Sequence, residues 1–256
     1  MRDGSAPVAP RSVPVPRAEA PAAAVQTWLV SLAAQVRSWR YAESGKRDLR
    51  LDLLRGYCVF AMTVDHLDAP TWFYAFTGGN RFFVSAAEGF LFISGLVMGV
   101  VYRPIVERSG LKGAAAKALK RSLLLYVVTV GATLGFMWLS SRLGLPWSVG
   151  VDVLDAVPRV LTLRRTFYLT DVLLLYTFLI AVAPVAFFLL RRGQSWLLLG
   201  LVWGVWAAHQ IKPIDMPWPS EDGAFYYIAA WQVLFFTGLT MGWHRRRSRA
   251  ASAGRS

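Results

Sequence analysis

The residues of this sequence best suited to chemistry are an arginine and a histidine, Arg55 and His66, which bracket an uncharged run from Gly56 to Val64. On an α-helix, eleven steps of 100° bring their side chains to within about 20° of each other, roughly 16 Å apart along the axis. A permanent cation and a titratable imidazole on one face suit an elongated anionic ligand whose reactive end lies near His66. The alternative is that both side chains extend to the headgroup layers of a membrane.

The chain that carries these residues has the composition of a membrane protein. Apolar residues make up 55% of the 256, and mean hydropathy is positive. The net charge of +13 is concentrated in short stretches that flank apolar runs, which is not the pattern of a nucleic-acid-binding surface. The single cysteine, Cys58, excludes an internal disulfide and is expected in the core. These features favour an integral membrane protein with no nucleic acid partner.

Several segments are apolar enough to cross a bilayer, which takes a helix of about 20 residues. A shorter candidate, Leu51 to Leu67, is bracketed by charges and contains the Arg55 and His66 pair. The other five predicted spans are Phe82 to Tyr102, Ser122 to Ser141, Phe167 to Leu190, Ser195 to Ile211 and Phe225 to Trp243.

The distribution of positive charge decides whether the shorter candidate also spans. If it does, the basic amino-terminal region, the loop from Arg103 to Arg121, the pair Arg191 and Arg192 and the tail from His244 fall on one side of the membrane. This is the bias of the positive-inside rule. We therefore expect an all-α, polytopic transmembrane helix bundle of about six spans with both termini cytoplasmic.

The domain organisation follows from shifts in composition. Residues 1–24 are rich in Ala, Pro and Arg and are expected to form a disordered arm rather than a signal peptide. Residues 25–46 contain an amphipathic helix that lies either on the membrane surface or against the protein's own cytoplasmic side. The membrane domain covers residues 47–243, and a basic tail covers 244–256.

Four short motifs carry a resemblance to a known family. The run Arg50-Leu-Asp-Leu-Leu-Arg55-Gly56, followed after Arg55 by ten residues and then His66, resembles the signature of the large acyltransferase superfamily of bacterial polytopic membrane proteins. Phe92-Ile-Ser94-Gly95 resembles its second motif. Leu173 to Pro184 and Trp231 to Gly238 are similar to the OpgC branch, the succinyltransferases of osmoregulated periplasmic glucans. The likeness covers about residues 47 to 243.

The resemblance implies a reaction and a location. The protein would lie in the bacterial inner membrane as a multi-pass protein and move an acyl group, succinyl by analogy, from cytoplasmic acyl-CoA to a hydroxyl of a periplasmic glucan or other glycan. Acyl-CoA would be a donor substrate, with no permanently bound cofactor and no metal. Arg55 would pair with CoA phosphates, and His66 would act as general base on the sugar hydroxyl.

Five further polar residues are expected to support this pair. Asp52 is placed to hold Arg55 through an i, i+3 pair. Asp65 points about 100° away from His66, which favours a topological or acceptor-binding role. Glu88 and Asp171 are acidic residues near membrane depth that either face a polar interior or pair with arginines near the same boundary. Ser94, with the neighbouring glycine, is either a close-packing residue or a catalytic one.

One departure from the family pattern leaves alternatives open. Family members typically continue well beyond the segment matched by Trp231 to Gly238, whereas this chain ends in a short basic tail. The expected consequences are a truncated or noncatalytic relative, or a site completed by a homo-oligomer. A carrier or flippase for an anionic or lipid-linked molecule is a third possibility, for which paired broken helices would be the sign.

Overall fold

The computed structural model describes residues 49–66, 71–78, 84–145, 152–166, 170–213 and 228–253, and every regular element among them is an α-helix. The all-helical prediction is confirmed. The predicted arm at 1–24 and amphipathic helix at 25–46 lie outside the described residues. The helices are α1 Leu49–Asp65, α2 Tyr74–Thr77, α3 Ala86–Leu143, α4 Val153–Leu161, α5 Asp171–Arg191, α6 Ser195–Ile211 and α7 Ile228–Ala253.

The predicted apolar segments are helical where the structure describes them, and two short helices, α2 and α4, lie outside these segments. Helix α6 has the predicted bounds. Asp152 precedes α4, and its side chain accepts a hydrogen bond of 2.9 Å from the Leu154 amide. Such a cap satisfies an orphan donor of the first helical turn. The Tyr126 hydroxyl then ties the end of α4 to α3 by donating to the Leu161 carbonyl.

Helix α3 is two helices joined at one glycine. Gly110 has φ 70° and ψ 177°, which is outside the helical region and is accessible without strain only to glycine. We call the two parts α3a, residues 86–109, and α3b, residues 111–143. The basic segment from Arg103 to Arg121, predicted to be a loop, is helical on both sides of Gly110. That part of the prediction was wrong because charge was taken as the sign of a loop.

Contacts with α5 show that the two parts of α3 run in opposite directions. Phe90 meets Tyr176 and Tyr102 stacks on Phe187, so α3a and α5 are parallel. Ser122 donates to the Thr177 carbonyl and Thr133 bonds Thr170, so α3b and α5 are antiparallel. The chain therefore reverses at Gly110. We call the end of the bundle where α3a and α5 begin the Ser85 end, and the opposite end the Arg191 end.

Helices α6 and α7 continue the alternation of helix direction along the chain. Gly193, at φ 76°, closes α5, and its amide donates to the Leu190 carbonyl. Helix α6 then runs back, since Ser195 bonds His244 and Gln232 donates to the Val202 carbonyl. The Arg191 end of the bundle accordingly gathers most of the basic residues of these helices: Arg103, Arg108, Lys112, Arg191, Arg192, His244 and Arg245.

Within the described residues, two helices, α3 and α5, are long and apolar enough to cross a membrane by length and composition. Helix α6 is apolar but has 17 residues. Helix α3 contributes two antiparallel parts, and large apolar side chains such as Leu124 and Val127 of α3b and Trp203 of α6 lie on the outside of the bundle. An apolar exterior is the surface expected against lipid. The predicted number of six spans and the orientation of the termini remain predictions.

Two glycine pairs set the distance between α3a and α7. A Cβ on Gly95 or Gly99 would lie 2.0 or 2.1 Å from a carbonyl oxygen of α7, and one on Gly238 or Gly242 would lie 2.2 or 2.0 Å from a carbonyl oxygen of α3a. Both helices therefore carry a Gly-x-x-x-Gly pattern facing the other, which lets two backbones meet. This contact fixes the parallel pair at the centre of the bundle, beside the fully buried Leu91, Phe187, Phe235 and Leu239.

Candidate functional site

The guanidinium of Arg55 lies on an aromatic ring near the Ser85 end of the bundle. Its central carbon is 5.5 Å from the centroid of the Phe90 ring, and Phe90 belongs to the second turn of α3a. The Arg55 Nε is buried without a hydrogen-bond partner among the described residues. Cys58, one turn further along α1, faces Gly89. These contacts hold the charged part of α1 against the beginning of α3a.

His66 directly follows the last residue of α1 and is half-buried. Its Nδ1 is hydrogen-bonded to the Met62 carbonyl oxygen, which only accepts, so Nδ1 carries the proton in the neutral ring. The acceptor lone pair is then on Nε2, which is the form required of a general base. Arg55 thus lies near the middle of α1 and His66 directly after its last residue, separated by about 16 Å along the helix axis.

Two side-chain contacts join α1 to the following helices. Arg55 meets the beginning of α3a, and Asp65 accepts a hydrogen bond from the hydroxyl of Thr77, the last residue of α2. Helix α1 therefore meets α3a near the Ser85 end. Hydropathy and charge could not give this arrangement because they carry no information on how two helices cross.

A second guanidinium contacts the same aromatic group. Phe90 and Tyr176 form an edge-to-face pair with centroids 5.7 Å apart, and the Arg121 guanidinium lies 5.9 Å from the Tyr176 ring. An Arg121 Nη also donates to the Tyr176 hydroxyl at 3.4 Å, and the Tyr102 hydroxyl interacts with the same guanidinium. These residues come from three helix segments, and the sequence did not predict their contact because Arg121 was assigned to a loop.

The depth of Arg121 follows from its neighbour in α3b. The Ser122 hydroxyl donates to the Thr177 carbonyl at 2.8 Å, which places Arg121 beside the first third of α5. From Thr177 to Arg191 at the basic end, α5 rises about 21 Å at 1.5 Å per residue. The intervening residues, 178–190, are all apolar. Arg121 therefore lies alongside the apolar body of the bundle and not at its basic edge.

The chain matches one family model, described as OpgC protein, over residues 47–256, and this range contains Arg55, His66, Arg121 and the whole described bundle. The chain belongs to the OpgC family. It matches neither a curated protein nor a solved structure. Membership in the OpgC family indicates, at a general level, a membrane-associated acyltransferase that modifies a glucan.

In this OpgC chain, two of the predicted supporting residues have local structural contacts. Glu88 and Ser85 form a capping box at the start of α3a, in which the Glu88 carboxylate accepts from the Ser85 amide at 2.7 Å and the Ser85 hydroxyl accepts from the Glu88 amide. Asp171, in the first turn of α5, accepts a hydrogen bond from the Thr166 hydroxyl. Both carboxylates lie at the Ser85 end, where helix dipoles favour negative charge.

Asp52 and Ser94 were also predicted to support Arg55 and His66. The Arg55 guanidinium contacts the Phe90 ring, and the pairing of Asp52 with Arg55 remains a prediction. Ser94 is buried, and its hydroxyl has no hydrogen-bond partner among the described residues. The neighbouring Gly95 is a close-packing residue, since its Cα faces the Phe235 carbonyl. The structure thus supports the packing interpretation for Gly95 and leaves the Ser94 hydroxyl available.

A cavity of about 260 Å³ opens at the Arg191 end, outside the region of Arg55 and His66. Arg103 lines it and is held by Glu107 at 2.9 Å and by the Trp243 carbonyl at 2.8 Å. Arg191 and His244 complete its basic wall. Arg103 in this wall is thus paired with Glu107, whereas no described carboxylate pairs with Arg55 or Arg121.

Proposed function

We propose that this OpgC protein is a multi-pass inner-membrane O-acyltransferase that moves an acyl group, succinyl by family analogy, from acyl-CoA to a hydroxyl of a periplasmic glucan. The observation that carries the proposal is the tautomer of the neutral His66 ring. Its Nδ1–H is held by the Met62 carbonyl, so the acceptor lone pair of the neutral ring belongs to Nε2. The family match over residues 47–256 supplies the reaction class.

The proposed reaction is one acyl transfer with a general base. Nε2 of His66 removes the proton of the glycan hydroxyl while the hydroxyl oxygen forms a bond to the thioester carbonyl carbon. The tetrahedral intermediate collapses as the carbon–sulfur bond breaks. The imidazolium returns its proton to the leaving thiolate, so an ester and free CoA are the products and the histidine is regenerated.

Arg55 holds the charged part of the donor in this proposal. Its guanidinium lies about 16 Å from His66 along α1, so it does not act on the reacting carbonyl. An elongated donor with its thioester at His66 and an anionic group at Arg55 spans that separation. The planar fork of arginine suits a phosphate or carboxylate, which it binds through two parallel hydrogen bonds.

The test is transfer from labelled succinyl-CoA to a periplasmic glucan by the purified protein, with His66→Ala compared with His244→Ala. His244 is a matched control because it is a half-buried histidine at the Arg191 end, bonded to Ser195. We expect His66→Ala to lower the transfer rate by about 10²- to 10⁴-fold, the usual contribution of a general base. Transfer unaffected by His66→Ala, or absent from folded wild-type protein, contradicts the proposal.

A carrier for an anionic molecule is the second candidate, and it is favoured by the two guanidinium groups on the Phe90 and Tyr176 pair. Intramembrane arginines are typical of substrate pathways in transporters as well as of enzyme sites. The two candidates differ in one result. Binding of CoA by folded protein together with no acyl transfer to any glycan favours the carrier.

A further inference from the structure

Two arginines from different helices contact one aromatic pair. Arg55 of α1 lies over Phe90, and Arg121 of α3b lies over Tyr176, whose ring is edge-to-face with that of Phe90. The contacts of Arg55 and Arg121 in the described residues are with aromatic rings and phenol hydroxyls, and no carboxylate pairs with either. Two permanent positive charges are therefore uncompensated within the described part of this group.

An uncompensated charge at membrane depth is costly, by about 2.5–3.5 kcal/mol on insertion scales, and marks a functional position. Arg121 lies at such a depth because the neighbouring Ser122 hydrogen-bonds Thr177, which directly precedes the apolar run 178–190 of α5. The nearest carboxylate of α3a, Glu88, is held by the capping box with Ser85. A bound anion would neutralise the pair.

The groups around Arg121 are suited to hold such an anion. The Tyr102 and Tyr176 side chains are buried, whereas Arg121 is exposed. Its guanidinium donates to the Tyr176 hydroxyl and interacts with the Tyr102 hydroxyl. Phenol hydroxyls fix the orientation of the guanidinium from the protein side and leave its other N–H groups to a ligand. Guanidinium groups bind phosphate and carboxylate oxygens in pairs, so the ligand class is a phosphate or carboxylate.

We propose that Arg121, positioned by Tyr102 and Tyr176, forms with Arg55 a two-arginine site for the anionic group of the acyl donor. This proposal rests on the proposed function and adds a binding residue, Arg121, from a second helix. The site lies at the Arg55 end of the 16 Å interval, so it fixes the far end of the donor while the thioester extends to His66. The anion is either a phosphate of the CoA moiety or a free carboxylate of the acyl chain.

The experiment measures equilibrium binding of two probes to the full-length protein in nanodiscs of zwitterionic lipid. CoA carries phosphates and no acyl carboxylate, whereas the succinyl thioester of N-acetylcysteamine carries a carboxylate and no phosphate. The variants are Arg121→Gln, Arg121→Lys and Tyr176→Phe. The matched control is Arg142→Gln, because Arg142 also belongs to α3b and lies over a ring, that of Trp138, at 5.7 Å.

We expect Arg121→Gln to weaken binding of one probe by about tenfold or more, since a charge-assisted hydrogen bond is lost, and Arg142→Gln to leave it unchanged. Arg121→Lys keeps the charge without the fork and should fall between. Tyr176→Phe removes only a hydroxyl and should weaken the same probe by about two- to tenfold. Weakened CoA binding assigns the site to phosphate, and weakened thioester binding assigns it to the acyl carboxylate.

Wild-type affinity of Arg121→Gln for both probes overturns the two-arginine site. If Arg121→Gln does not fold, Arg121→Lys and Tyr176→Phe decide, and wild-type affinity of both has the same meaning. The transfer assay separates this failure from that of the proposed function. Wild-type transfer with Arg121-independent binding removes the site and retains the enzyme, whereas Arg121-dependent binding without transfer retains the site and removes the enzyme.

Discussion

A Cβ atom on Gly95 of α3a would lie 2.0 Å from the carbonyl oxygen of Phe235 in α7. We predict that Gly95→Ala destabilises the protein by about 1–3 kcal/mol or more, because two backbones would have to separate. Gly131→Ala is the control, since a Cβ there meets no atom within 4 Å, and it should be neutral or slightly stabilising. Reversible unfolding in mixed micelles measures both, and equal stability of the two variants contradicts the close contact.

Substitution of the buried Ser94 distinguishes a packing role of this residue from a catalytic one. Because the hydroxyl has no hydrogen-bond partner among the described residues, we expect Ser94→Ala to leave the free energy of unfolding within about 0.5 kcal/mol of wild type or to raise it. The acyl-transfer rate of the same variant is the second measurement. A large fall in rate at unchanged stability would make Ser94 a substrate-contacting residue.

Substitutions of Glu88 likewise distinguish a structural role in the capping box from a role in catalysis. Glu88→Ala removes the acceptor of the Ser85 amide and should lower stability by about 1 kcal/mol, whereas Glu88→Gln retains an acceptor and should lower it less. Transfer activity per folded molecule should be equal in the three proteins. Loss of activity in Glu88→Gln at wild-type stability would instead place the carboxylate charge in the substrate path.

Cys58 reports on the docking of α1. It is the single cysteine of the chain, its side chain is buried, and its Sγ lies 3.3 Å from a Cβ built on Gly89. We expect slow labelling of Cys58 by a maleimide in the folded protein and faster labelling in Gly89→Val, whose side chain would displace α1. Gly135→Val on α3b, where a Cβ meets no atom within 4 Å, should not change the rate.

The sequence determined the elements and the family. Apolar runs longer than a few turns fold as helices in any apolar environment because each backbone donor finds its acceptor within the same segment. The bounds of α5 and α6 therefore lie close to those predicted, whereas α7 continues ten residues beyond the predicted end at Trp243. The buried position of Cys58 followed from its apolar neighbours. Arg55 and His66 were found by type and spacing alone, since these fix their separation on one helix.

Only the tertiary structure decided which residues meet. The reversal at Gly110 turns a basic segment that was predicted as a loop into the ends of two antiparallel helices, and it brings Arg121 to the side of Tyr176. The charge pattern indicates which residues avoid lipid, but it does not give their depth in the membrane. The crossing of α1 near the Ser85 end, the glycine contact between α3a and α7 and the group of two arginines with two tyrosines depend on packing between segments distant in sequence. Periodicity within one helix contains no information on such contacts.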